Sequence, residues 1–221
     1  MILDFKNPQL LATALSHRSS LNERTQSGTT AIESNERLEF LGDAVLELAA
    51  TIYLYENRPH EDEGKLTAYR SALVRTETLA KLAKELELDK QMFLSKGEEQ
   101  GGGRDNESLL ADLMEAVIGA MYLDQGFAVA QDFLAKYLFP KFGEILQSKS
   151  YKDQKSLLQE KVQARSLSTP VYRVLKAIGP DHNKEFTIEV LVDDEVWGVG
   201  VGHSKQIAQQ AAASAALKKI I

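Results

Sequence analysis

Four carboxylates, Glu36, Glu39, Asp43 and Glu47, stand in the otherwise apolar segment NERLEFLGDAVLE, residues 35–47. Their spacing of three and four places them on one side of a helix, where like charges destabilise by about 0.2–0.5 kcal/mol per pair. No Lys, Arg or His lies between Arg37 and Arg58 to offset them. Leu38, Leu41, Val45, Leu48 and Ile52 share the opposite face, so an amphipathic helix with a solvated acidic side is one reading. A second segment, ESLLADLMEAVIGAMYLDQG (107–126), is apolar almost all round and is expected to be a buried helix. Its one polar stripe is Ser108, Asp112, Glu115 and Gly119, and it too lacks a cation, from Arg104 to Lys136. Ionised carboxylates on a buried helix must be paired, protonated or bound to metal.

Bringing the two helices together would cluster Glu39, Asp43, Asp112 and Glu115. The donors are all oxygen, the chain has no Cys, and no His neighbours them in sequence, which suits Mg²⁺ or Mn²⁺ rather than zinc. Mg²⁺ held by a few carboxylates keeps waters and takes further ligands from substrate phosphate, and such a site can attack a phosphodiester. A second reading stays open at this level: Arg37, Arg75 or Arg104 could reach in and pair the acids.

The elements that must position these residues follow from periodicity. From residue 8 to about 147 the apolar spacing is helical, punctuated by Pro59 and the glycines at 101–103. SKSYKD (148–153) is short, polar and mixed in charge. KSLLQEKVQA (155–164) reads as a helix, and VYRVLKAIG (171–179) starts a strand. EFTIEVLVDDEVWGVGVG (185–202) alternates and breaks at Asp193-Asp194 as a hairpin, and SKQIAQQAAASAALKKI (204–220) is an Ala-rich helix. Two domains are expected: all-α over residues 1–148, a linker at 149–153, and an α+β domain of order α-β-β-β-α over 154–221. The net charge of −6 conceals an asymmetry: residues 1–150 hold 16 Lys/Arg against 24 Asp/Glu, and residues 151–221 hold 10 against 8. The N-terminus lacks the pattern of a signal peptide and no apolar run approaches a membrane span, so a cytoplasmic protein is expected.

NERLEFLGDAVLE is closely similar to the signature of the ribonuclease III family. The similarity continues through HEDEGKLTAYRSALV (60–74) and GGGRDNESLLADLMEAVIGAMYLDQG (101–126), and then through a stretch that resembles the family's double-stranded RNA-binding domain. The resemblance implies that Glu39, Asp43, Asp112 and Glu115 are metal ligands, with Asp43 and Glu115 catalytic. It implies that Glu36 and Glu63 line the cleavage valley, and that a homodimer forms with Phe40 at its seam. The implied activity is Mg²⁺-dependent cleavage of double-stranded RNA to staggered ends with 5′-phosphate and 3′-hydroxyl termini, in processing of rRNA and other structured transcripts. The competing expectation is a double-stranded RNA-binding protein that does not cut. An unrelated all-α metal enzyme is disfavoured by the C-terminal pattern.

Double-stranded RNA is read through 2′-hydroxyls and phosphates across its shallow minor groove. Ser156, Gln159, Glu160 and Gln163 on one helix side suit that groove. GPDHNKEF (179–186), with Pro180 and His182, forms the turn that in resembling domains probes a second groove. Ser204 and Lys205 open the last helix, where amide groups favour phosphate. Resembling domains carry basic residues at the positions of His203 and Gln206, so fewer phosphate contacts, weaker affinity and a shallow salt dependence are expected. SHRS (16–19) is read as packing or a helix cap. GEEQGGGR (97–104) lacks the ending of a P-loop, so no nucleotide cofactor is expected. Arg104, Asn106, Glu107 and Ser108 either touch RNA or hold the Asp112 helix, and Glu47 is read as surface or interface.

Overall fold

The computed structural model describes residues 4–21, 33–148, 151, 153–179 and 184–220, and the chain divides into two units between Tyr151 and Lys152. In the first unit the described helices are α1 (Pro8–Ala14), α2 (Glu36–Asn57), α3 (Glu63–Val74), α4 (Thr76–Glu85), α5 (Leu88–Gln91), α6 (Lys96–Gln100), α7 (Glu107–Gln125), α8 (Phe127–Tyr137) and α9 (Phe142–Ser148). None of the described helices is long and apolar enough to cross a membrane. Tyr151 belongs to this unit, its ring meeting Tyr69 edge-on at 4.6 Å.

Helix α7 is the axis of the unit. Asn106 caps it, accepting from the amides of Ser108 and Leu109, and Gly126 at φ 87° ends it. Leu110, Leu113, Met114, Ala116, Val117, Ile118 and Ala120 are all fully buried, and α1, α2, α4 and α8 pack around the helix. Asp124 near its C-terminus accepts from the amides of Lys6 (2.7 Å) and Asn7 (2.9 Å), which fixes the start of α1.

Helix α2 crosses α7 with almost no side chain between the two backbones. A Cβ on Gly42 would collide with the Glu115 carbonyl, and one on Gly119 with the Leu38 carbonyl. The buried stripe of α2 therefore runs through Leu38, Gly42, Val45, Leu46, Ala49 and Ala50. This corrects the expected apolar face in part: Leu41 and Ile52 are only half-buried and Leu48 is 52% exposed. The close approach at Gly42 turns that side of the helix inward and rotates Leu48 out.

In the second unit, α10 (Gln154–Gln163) and α11 (Lys205–Leu217) accompany an antiparallel sheet of order β1-β2-β3 (Val171–Ile178, Glu185–Val192, Glu195–Gly202). Val171 pairs with Leu191, and Phe186 with Gly202. Asp193 (φ 50°) and Asp194 (φ 64°) form the two-residue turn, whose positive φ values match the twist of the strands it joins. Asp153 caps α10, accepting from Ser156 N at 2.8 Å. The alternation of β3 has an unusual sense. Val199 and Val201 are about half exposed, while Gly198 and Gly200 are buried, because Ala208, Ala212 and Ala216 of α11 lie directly on the glycines.

Filling the crossing should be costly where filling open helix surface is not. Gly119→Ala is expected to lower Tm by about 5–10 °C, since overpacking against backbone costs about 1–3 kcal/mol or more. Gly143→Ala, whose Cβ would meet nothing within 4 Å, should leave Tm unchanged or raise it slightly. Thermal unfolding of the two variants checks this.

Candidate metal centre

The Gly42–Gly119 crossing sets the acids of the two helices beside one another. Glu39 lies one turn before Gly42, and Glu115 one turn before Gly119. Glu39, Asp112 and Glu115 each bring a carboxylate oxygen to within 4.8 Å of the others, and all three are half-buried. Asp43 stands outside this group and is exposed, but its charge acts on both Glu39 and Glu115. Of the four expected ligands, three converge tightly and the fourth flanks them.

The electrostatics are those of acids lacking counter-ions. Burial, followed by the charges of Asp43, Asp112, Glu39 and Glu47, pushes the Glu115 carboxyl up to about 8. Burial and the charges of Asp112, Glu36 and Asp43 raise Glu39. Burial also raises Asp112, against the opposing charge of His17. The arginines that could have supplied the missing charge are engaged elsewhere. Arg37 pairs with Glu33 (3.7 Å), Arg75 with Glu77 (3.4 Å) and Arg104 with Glu99 (2.6 Å). Among the described residues no Lys or Arg forms an ion pair with Glu39, Asp43, Asp112 or Glu115. Converging hard oxygen donors with no cationic side chain among them fit a hard divalent cation.

Glu36 stands at the edge of the site. It accepts from Ser34 Oγ (2.8 Å) and Arg18 Nη1 (3.4 Å), and it lines a cavity of about 350 Å³ with His17, Arg18, Asn35, Glu39 and Asp112. Glu63 is not brought there. It is exposed at the start of α3 and lines a different cavity, of about 400 Å³, with Thr51, Leu54, Tyr55, Leu66 and Arg70. Glu47 is held by Arg70 Nε at 2.8 Å. Phe40 projects 83% exposed from α2. Arg104 bonds the carbonyls of Asp89 (2.6 Å) and Met92 (3.0 Å), and Asn106 caps α7, so both support the helix that carries Asp112.

His17 was legible only in part. Its Nδ1 accepts from Ser19 N, as a cap should, but His17 also lines the cavity shared with Asp112. The carboxylates therefore do have a histidine neighbour in space. Only the fold brings it there, from a segment remote in sequence.

In the second unit Ser156, Gln159, Glu160 and Gln163 are all exposed along α10. Ser204 caps α11 through Ile207 N (3.2 Å), with Lys205, His203 and Gln206 exposed around it. Pro180 and His182 lie outside the described residues.

The raised Glu115 carboxyl has a thermodynamic consequence. Between about 4.5 and about 8 the folded chain keeps a proton that the unfolded chain has released, so stability falls as pH rises through that window. In EDTA, Tm is expected to drop by a few degrees from pH 5.5 to pH 8, and Glu115→Gln should flatten the slope. Mg²⁺ should raise the wild-type Tm more at pH 8 than at pH 5.5. Differential scanning fluorimetry across pH checks both statements.

Comparison with known proteins agrees over nearly the whole chain. Residues 7–142 match the family model described as ribonuclease-III-like, and residues 154–220 match the double-stranded RNA binding motif. The chain is 47% identical over 215 residues to ribonuclease 3 of Pelotomaculum thermopropionicum, covering 97% of this chain and 88% of that protein. It is 46% identical over 218 residues to ribonuclease 3 of Geobacillus thermodenitrificans, covering 99% and 87%. Among solved structures it is similar to the nuclease domain of ribonuclease III from Campylobacter jejuni, with TM-score 0.56 and 38% identity, covering 62% of this chain and 92% of that one. The chain therefore belongs to the ribonuclease III family, as an endoribonuclease with a nuclease domain and a double-stranded RNA-binding domain on one polypeptide.

Proposed function

We propose that the chain is a Mg²⁺-dependent homodimeric endoribonuclease of the cytoplasm, cutting double-stranded RNA to staggered ends with 5′-phosphate and 3′-hydroxyl termini. Processing of rRNA and other structured transcripts is its role. The observation that carries this reading is the convergence of Glu39, Asp112 and Glu115 within 4.8 Å, with no Lys or Arg paired to them among the described residues. Mn²⁺ would substitute, since the donors are equally suited to it. The lack of Cys fits a reducing compartment. Residues 149–153 serve as the tether between the two domains.

Glu39, Asp112 and Glu115 would hold the cation, with Asp43 joining them as a fourth oxygen donor. When bound, a divalent cation supplies Lewis-acid stabilisation of charge developing on the scissile phosphodiester. Glu36, fixed by Arg18 and Ser34, borders the cavity and restricts how the RNA strand enters it. Water attacks the phosphorus in line with the departing 3′-oxygen, so the upstream fragment ends in a 3′-hydroxyl and the phosphate stays on the 5′ end of the downstream fragment. Ser156, Gln159, Glu160 and Gln163 lie along α10 for minor-groove hydrogen bonds, Ser204 and Lys205 open α11 toward phosphate, and Pro180 and His182 complete the set of RNA contacts.

The dimer reading rests on one face of α2. Phe40, Leu48 and Tyr55 are 83%, 52% and 74% exposed, and the 400 Å³ cavity lies at the Tyr55 end. A two-fold contact places the same patch against itself, so Phe40 of each copy would enter the cavity of the other. Phe40 adjoins Glu39 and the cavity is lined by Glu63, so this seating would carry Glu63 of a second copy to the acidic edge. That accounts for its separation from the cluster within one chain. In the Campylobacter jejuni nuclease domain, too, a region is involved in dimer formation.

Incubating a long RNA duplex with the protein should give cutting in Mg²⁺ and none in EDTA. Glu115→Gln should lower cleavage by at least about a thousand-fold with duplex affinity in Ca²⁺ retained. Binding without cutting under every metal condition would instead mark a non-cleaving RNA-binding protein. Phe40→Asp is expected to yield a monomer by sedimentation and to reduce cleavage at least about ten-fold, because it introduces a charge at the centre of an apolar contact.

A further inference from the structure

A histidine borders the cleft that holds the carboxylates. His17 lines the cavity that Glu36, Glu39 and Asp112 share, and its charge opposes the rise that burial imposes on the Asp112 carboxyl. Its backbone is held firmly. His17 N donates to the Phe93 carbonyl (3.1 Å), and the His17 carbonyl accepts from Ser20 N (3.0 Å) and Ser20 Oγ (2.8 Å).

The ring is oriented as well. Ser19 N donates to Nδ1 (3.3 Å), and Ser19 Oγ lies 2.9 Å from the same nitrogen. A backbone amide can only donate, so in the neutral ring Nδ1 is the acceptor and the hydrogen sits on Nε2. In the charged ring Nδ1 turns its hydrogen to the Ser19 hydroxyl, and Nε2 carries one still. In both states Nε2 is a donor that Ser19 does not use.

The surroundings give that donor a use. The walls of the cavity are acidic and repel a phosphate backbone at close range. Arg18, which lines the same cavity, is already shared with Glu36 at 3.4 Å. A phosphate there still requires hydrogen-bond donors for its non-bridging oxygens, and a fixed N–H donor needs no reordering when RNA arrives. We propose that His17 is a substrate-contacting residue, its Nε2–H donating to a phosphate oxygen of the RNA strand in the cleft. This inference rests on the reading that the cleft takes duplex RNA.

Two substitutions in the full-length protein separate this role from the capping role. His17→Asn keeps an acceptor near the backbone for Ser19 N and removes the distal donor. His17→Gln removes that acceptor geometry and places an amide N–H near the position of Nε2. With a long RNA duplex in Mg²⁺, His17→Asn is expected to keep Tm within about 2 °C yet lose about 10- to 100-fold in kcat/KM. His17→Gln should recover most of that loss. Duplex affinity in Ca²⁺ should follow the same order, which a purely structural role would not produce. The reverse order, with His17→Asn active and His17→Gln impaired, would show a cap alone and overturn the proposal. Equal activity of all three proteins, or an equal loss in both variants, overturns it too. A wild-type chain that neither cuts nor binds duplex sinks the nuclease reading along with it, whereas a wild-type chain that cuts no faster than His17→Asn removes only the role of His17.

Discussion

The contact on which the rest of the nuclease domain depends is the crossing of two helix backbones at Gly42 and Gly119. A single methyl group at either position would strike a carbonyl of the opposing helix. Helices separated by ordinary side chains lie about 8–10 Å apart at their axes. At that separation, acids one turn from the crossing would be held apart by the packed residues between them. Here the absence of two side chains lets Glu39 meet Asp112 and Glu115 within 4.8 Å. The glycines are a packing feature whose purpose is chemical: they bring like charges to a separation that the folded chain alone does not favour.

That separation explains the electrostatics. A Glu115 carboxyl pushed up to about 8 by burial and by four neighbouring carboxylates is held poorly suited to ionisation without a cation. The arginines that could have reached in are spent on Glu33, Glu77 and Glu99, and among the described residues no Lys or Arg pairs with the cluster. Glu47 shows the contrasting solution on the same helix, where Arg70 at 2.8 Å supplies the partner. One acidic stripe thus divides into a structural half paired by a side chain and a half whose balance must come from outside the chain.

The second unit uses glycine for the same physical end. The Ala-rich face of α11 lies on Gly198, Gly200 and Gly202, so helix and sheet approach closely and the valines of β3 face away. In both domains, small residues at a contact let main chains come together, and larger side chains are displaced to the exposed face. For α2 that surface presents Phe40, Leu48 and Tyr55.

Much was legible from the sequence by itself. A period of 3.6 marked α2 and α7, alternation marked β2 and β3, and Asp193-Asp194 marked their turn, because these patterns report local backbone geometry. The acids of the site were legible for a related reason: uncompensated charge on an apolar helix has few physical outcomes. Tertiary structure alone decided the remainder. It turned Leu48 outward, put the glycines of β3 inside, held Glu63 away from the cluster within one chain, and set His17 beside Asp112. Each of these depends on which backbones approach most closely, a distance between segments remote in sequence that local patterning does not encode.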